Sequence, residues 1–225
     1  MVEEVVFVDV ESVKTNTSSL VFSVTMKKVR GDDILCTKTL LNKDTIENVY
    51  DYDLNMCKKV IRTIAYLSNH CEHDAIFVNT NEMLAKMEDF IYRHGRVWVG
   101  HSVDRDLGFL YDTDRMFGSF FRVHPCGNDE ICTIGYKWGR IAKVCTQCII
   151  PKRAPNFYTS YIEKVGQGNV SMTMENLLKY CAPDQTMDHT SPSDVDHLIL
   201  VTNFIRNKDA QTFYFGNVST YLNKV

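Results

Sequence analysis

Residues 5–8 (Val-Val-Phe-Val) form an apolar run too short for a helix and uniform enough for a strand covered on both faces. The strand pattern extends over 4–10. Two more such runs follow, 20–28 and 34–40, separated by the turn signal Arg30-Gly31-Asp32-Asp33. Three closely spaced strands predict an antiparallel meander. The period then changes: over 53–69, Leu54, Cys57, Ile61, Ile64 and Leu67 recur at helical spacing. Residues 75–78 are a short apolar run of either type. Met83, Leu84, Met87, Phe90 and Ile91 mark a helix over 81–94 that Gly95 ends. A strand over 96–100 and a helix over 104–117 come next. The stretch 118–170 is repeatedly broken by glycine and proline and reads as an irregular insert. Two helices close the pattern, 171–181 and one from about 191 to 207. A meander followed by alternating helices and strands predicts a single α/β domain, residues 1–225, built on a mixed sheet flanked by helices.

Composition agrees with that picture. The 225 residues suffice for one substantial core, and 44% hydrophobic with 24% charged content is that of a soluble globular protein. The net charge of −3 gives no overall attraction to nucleic acid, so binding of that kind requires a local basic surface. The first residues carry acids where a leader would be basic, and no apolar run has the length of a membrane span, so the chain reads as intracellular, cytoplasmic or nuclear, with no membrane role. Its eight cysteines follow no disulfide framework and read as reduced thiols.

Candidate chemistry lies in three acidic segments. Asp9 and Glu11 sit at i and i+2 at the end of the first strand, so both carboxylates project from one face. Two acids side by side at the edge of an apolar core repel each other, and a divalent cation between them relieves the repulsion. In the second segment, His101-Ser-Val-Asp104-Arg-Asp106, acids fall in the first turn of a helix; alone this is ordinary helix-start chemistry. The third, His189-Thr-Ser191-Pro192-Ser-Asp194, is likewise a good helix start, with Ser191 as N-cap, Pro192 at N1 and Asp194 at N3.

Taken together and in this order, the three segments resemble the DEDDh family of 3′→5′ exonucleases, which share a ribonuclease H-like fold. The first family motif, Asp-x-Glu on the first strand, matches Asp9 and Glu11. The second matches His101 through Asp106, with apolar Leu107, Phe109 and Leu110 behind it; Asp106 is the favoured acid and Asp104 the fallback. The third, His-x4-Asp, matches His189 and Asp194. His189-Thr-x-x-x-Asp194-Val is most similar to the three-prime repair exonucleases, whereas Gly100-His101-Ser102 looks more like RNA exonucleases. The resemblance implies phosphodiester hydrolysis on DNA or RNA from a free 3′ end, releasing 5′-mononucleotides with two Mg²⁺ or Mn²⁺ ions. It assigns Asp9, Glu11, Asp106 and Asp194 as metal ligands and His189 as general base, since imidazole exchanges protons near neutrality. His101 is expected to support its loop. A ribonuclease H-like module that binds nucleic acid without cutting it is the alternative; all five motif residues are present, which favours the enzyme.

Three features depart from the family: the residues after the first motif, Val195-Asp196-His197 after the third where the family has Ala-x-Ala, and a segment 118–170 longer than in compact members. Ser12 and Val13 stand where the family packs its terminal nucleotide, and are carried as substrate-contact candidates. In the insert, Lys137, Arg140 and Lys143 lie among Tyr136 and Trp138, a pattern suited to phosphate and base contact. The insert also holds Cys126, Cys132, Cys145 and Cys148. Cys145-x2-Cys148 is half a structural Zn²⁺ site, but Cys126-x5-Cys132 is an irregular partner, so these read as core thiols.

Overall fold

The computed structural model describes residues 4–48, 54–70, 75–118, 123–124, 131–134, 140–165 and 171–216, the side chains of 123–124, 131–134 and 140–141 excepted. The chain runs β1 (Glu4–Lys14), β2 (Ser19–Arg30), β3 (Asp33–Asn42), α1 (Lys43–Glu47), α2 (Leu54–His70), β4 (Ala75–Val78), α3 (Thr80–Arg93), β5 (Val97–Gly100), α4 (Val103–Phe117), β6 (Val123–His124), β7 (Ile131–Ile134), β8 (Arg140–Cys145), α5 (Thr146–Arg153), α6 (Pro155–Val165), α7 (Met174–Cys181) and α8 (Ser191–Lys208). One mixed sheet has the order β4-β3-β2-β1-β5-β8-β7-β6. The β1–β2–β3 meander is antiparallel, whereas β5 runs parallel to β1 and β8 parallel to β5. The mixed α/β architecture expected from the sequence is the one observed.

β1 is central, which explains its unbroken apolar run. Val5 and Phe7 face the core under α5 to α8, while Val6, Val8 and Val10 face the core under α3 and α4. Each fully buried side chain of this size stabilises the fold by roughly 1.5–3 kcal/mol. Asp9 and Glu11 continue the first of these faces, just past the apolar floor.

The β1–β2 register shifts after Glu11: Glu11 pairs with Ser23, but Ser12 pairs with Val21, so Phe22 is an extra, unpaired residue of β2. Such a bulge reverses the alternation of the bulged strand. Leu20 and Phe22 thereby join Val13 on the same face as the acids and make an apolar seat, on which α2 rests through Val60. Of the apolar positions expected to face inward on α2, Leu67 is buried, whereas Leu54 and Ile61 are exposed, and Val60 and Thr63 are buried in their place.

Three other expectations change. Residues 75–78 are a strand, parallel to β3. The stretch 118–170 is less irregular than its glycines and prolines suggest: 140–165 form β8, α5 and α6, and Pro155 opens α6, where a missing N–H costs nothing. The N-cap of α8 is Thr190, one residue early, because Ser191 is used elsewhere. Among the described residues, no helix is long and apolar enough to cross a membrane.

Candidate active site

The first turn of α8 is fastened across β2 by side chains. Ser191 Oγ lies 2.6 Å from Ser23 Oγ and 3.0 Å from Thr25 Oγ1, and Lys27 donates to Asp196 at 2.8 Å. These ties set Asp194 opposite β1. Asp9, Glu11 and Asp194 each offer a carboxylate oxygen within 4.8 Å of the others.

Asp106 arrives from the other side of the sheet. β5 ends at Gly100, where a Cβ would lie 3.2 Å from the Val8 carbonyl and 2.8 Å from the Val103 side chain, so only glycine lets the strand end this close to β1. The chain then turns through Ser102 in the left-handed region (φ 65°) into α4. The turn is pinned to the start of α5: His101 Nδ1 lies 3.0 Å from Thr146 Oγ1, and Ser102 Oγ donates to Gln147 Oε1 at 2.7 Å. His101 is half-buried with its Nε2 out of solvent, and desolvation pushes its pKa down to about 4, which keeps the ring neutral, in keeping with a supporting role. Asp106, buried in the first turn of α4, lines the same cleft as Asp9 and Glu11, about 470 Å³ in volume.

His189 also lines the cleft, on the loop entering α8, in the left-handed region (φ 53°) and exposed. A non-glycine residue there costs of order 1–3 kcal/mol, and such strain concentrates at functional positions. The loops into α4 and α8 thus each bend through one left-handed residue just before the helix that carries an acid.

Burial raises the pKa of Asp9 well above the usual carboxylate range, and the charges of Glu11, Asp106 and Asp194 push it the same way. Burial also raises Asp106, with Glu11 adding to it. Glu11 is raised from 4.5 to about 7, first by burial; Lys59 opposes the shift and Asp194 adds to it. Lys59 of α2 pairs with Glu11 at 2.5 Å and donates to the Ser12 carbonyl at 3.1 Å. Asp9 Oδ2, Asp106 Oδ2 and Asp194 Oδ1 are nevertheless buried without a hydrogen-bond partner. Hard oxygen donors crowded together and unsatisfied fit a divalent cation such as Mg²⁺ or Mn²⁺.

The remaining candidates divide. Ser12 lines the cleft, but Val13 is wholly buried under α2, so it is a core residue rather than a substrate contact. Lys143 does not reach the cleft either; its side chain is buried and ion-paired with Asp104, tying β8 to α4. That pair also separates the two aspartates, Asp104 turned outward and Asp106 inward. Lys137 and Cys126 lie outside the described residues, as do the side chains of Arg140 and Cys132. Cys145 and Cys148 are neighbouring free thiols; burial and a hydrogen bond to Cys145 push the Cys148 thiol up to about 11. Among the described residues, the acidic cluster is the one group of three side chains arranged to hold a metal.

Sequence reasoning passed over Lys59 and Arg105, both of which line the cleft. Lys59 lies on the polar side of a helix whose apolar period was legible. Its direction depended on the seat made by the β2 bulge, which no local pattern announces.

No protein-family model matches the chain, and no curated protein matches it by sequence. Solved structures do. An apo exonuclease I is 12% identical with a TM-score of 0.57, over 95% of this chain and 44% of that one. Exonuclease I of E. coli, in a zinc-bound complex with single-stranded DNA, is 11% identical with a TM-score of 0.58, over 93% and 42%. The moderately thermophilic exonuclease I of Methylocaldum szegediense is 13% identical with a TM-score of 0.57, over 93% and 42%. The chain spans less than half the length of these structures. What it shares with them is the fold, a ribonuclease H-like mixed sheet with helices on both faces.

Proposed function

We propose that the protein is a metal-dependent 3′→5′ exonuclease of the DEDDh type, hydrolysing DNA or RNA to 5′-mononucleotides. One observation carries the reading: three carboxylates with ligand oxygens within 4.8 Å, two of those residues holding a buried oxygen without a partner, in a cleft shared with Asp106 and His189. The fold shared with structures of exonuclease I supports it, one of them described as a zinc-bound complex with single-stranded DNA.

Asp9, Glu11 and Asp194 would hold one cation, and Asp106, beside Asp9, would share a second with it. Cations bound there neutralise phosphoryl charge and favour ionisation of the attacking water, as in two-metal hydrolases. His189, exposed and lining the same cleft, would take the proton of that water. Attack on phosphorus breaks the bond to the 3′-oxygen, which leaves protonated on the shortened strand, and the terminal nucleotide departs with its 5′-phosphate. His101, Thr146 and Gln147 hold the loop that orients Asp106.

Release of mononucleotides from 3′- and 5′-labelled DNA and RNA, with and without EDTA, tests the reading. EDTA-sensitive release starting from the 3′ end is expected on at least one substrate. Strand binding with no hydrolysis under any divalent cation would replace it with the non-cutting ribonuclease H-like module.

A further inference from the structure

A second recess, about 360 Å³, opens beside the cleft and shares Glu11, Lys59 and His189 with it. Its other wall is the outward side of α2, through Asn55, Lys58 and Arg62. Among the described residues Glu11 is the one acid lining it, and Lys59 already pairs with Glu11. Lys58 and Arg62 are exposed, and neither makes an ion pair among the described residues. A protein with a net charge of −3 thus concentrates three cations on one wall next to its candidate metal site.

Spacing gives this wall a direction. Lys58 and Arg62 are four residues apart, on one side of the helix and separated by about 6 Å along its axis. That is close to the step between successive phosphates of an extended single strand. On the same exposed face stand Leu54 and Ile61, 70% and 64% exposed, at positions i and i+7 against Lys58 at i+4 and Arg62 at i+8. Phosphate-binding cations interleaved with bare aliphatic side chains suit a strand whose bases are unpaired and have apolar faces to bury. A duplex presents charge to such a surface and keeps its bases stacked away.

We propose that the exposed face of α2 is the strand-binding wall of the protein. Lys58 and Arg62 take the phosphates upstream of the 3′-terminal nucleotide, Ile61 and Leu54 lie against its bases, and Lys59 carries the track to the metal-binding acids. This rests on the exonuclease reading for its polarity, but the surface can be tested without catalysis.

Binding of a fluorescent oligothymidylate is measured in EDTA across a salt series for the wild type, the Lys58→Gln/Arg62→Gln double variant and Ile61→Ser. Each phosphate contact on a single strand contributes about 0.7 to the slope of log affinity against log salt, so the double variant should lose about 1.4 and bind roughly tenfold more weakly at low salt. Ile61→Ser should weaken binding with the slope unchanged. An unchanged slope in the double variant overturns the proposal, as does an equal loss on a fully paired duplex. In a separate arm, hydrolysis of the p-nitrophenyl ester of thymidine 5′-monophosphate with Mn²⁺ should be the same in the wild type and the double variant, since the ester has no upstream phosphate. If the wild type fails to cleave this ester and every oligonucleotide, the exonuclease reading fails while the binding arm still decides the surface.

Discussion

Raising the pH of the metal-free protein should destabilise it, and a divalent cation should reverse the loss. Glu11 is buried, and its pKa is raised from 4.5 to about 7. Because the folded value lies above the unfolded one, the folded protein holds this proton more tightly. Its stabilising contribution is therefore full below about pH 4.5 and is lost as pH climbs through 7. A rise of that size corresponds to about 3 kcal/mol. For a chain of this length, each kcal/mol moves Tm by about 2–4 °C, so Glu11 alone should lower Tm by roughly 6–12 °C between about pH 5 and pH 8. Asp9 and Asp106 are raised as well and act in the same direction. Thermal melts followed by circular dichroism, in EDTA and in Mn²⁺ at matched ionic strength, measure this. Bound cation favours ionised carboxylates, so the gain in Tm from Mn²⁺ should be larger at the higher pH. Glu11→Gln should flatten part of the EDTA curve. A metal-free Tm that is level or rising over this range, or an equal Mn²⁺ increment at both ends, would refute the account of the acidic cluster.

Other consequences are narrower. Asp9→Asn should abolish EDTA-sensitive hydrolysis and the Mn²⁺ increment in Tm while leaving the metal-free Tm unchanged or higher, since the amide cannot ionise among three other acids; a drop of several degrees in EDTA would assign Asp9 a structural role instead. His189→Gln should slow turnover by about 10²–10⁴ with strand affinity retained, as measured by single-turnover kinetics, and full activity would remove it as the base. Asp209, buried at the end of α8, accepts from the backbone and side-chain nitrogens of Asn156 and from the Phe157 backbone, capping α6. Asp209→Ala should cost about 3 kcal/mol in urea unfolding, and a loss near zero would show that the cap contributes nothing.

The parts of the molecule legible in the sequence were those set by local pattern. The Val5–Val8 run identified a strand covered on both sides, and the spacing of Asp9 and Glu11 put two acids on one face. Of the two aspartates in the second segment, Asp106 is turned into the cleft and Asp104 is paired with Lys143. What escaped depended on distant contacts. Val13 looked like a surface contact because the seat it shares with Leu20, Phe22 and Val60 exists only after folding. Lys143 looked like a free cation because its partner is 39 positions away. Ser191 looked like a helix cap, but its hydroxyl is engaged with Ser23 and Thr25 on β2, so the helix begins one residue earlier.

The extra residue at Phe22 lets two consecutive side chains of β2, Phe22 and Ser23, serve the same layer, one toward α2 and the other toward the first turn of α8. A regular strand offers only every second residue to a face. Loss of the Phe22 codon would close the bulge and leave Val21 and Leu20 on the faces they hold now, while taking the ring from under α2. One inserted residue thus lets a single stretch of strand anchor two helices that bring side chains to the same cleft.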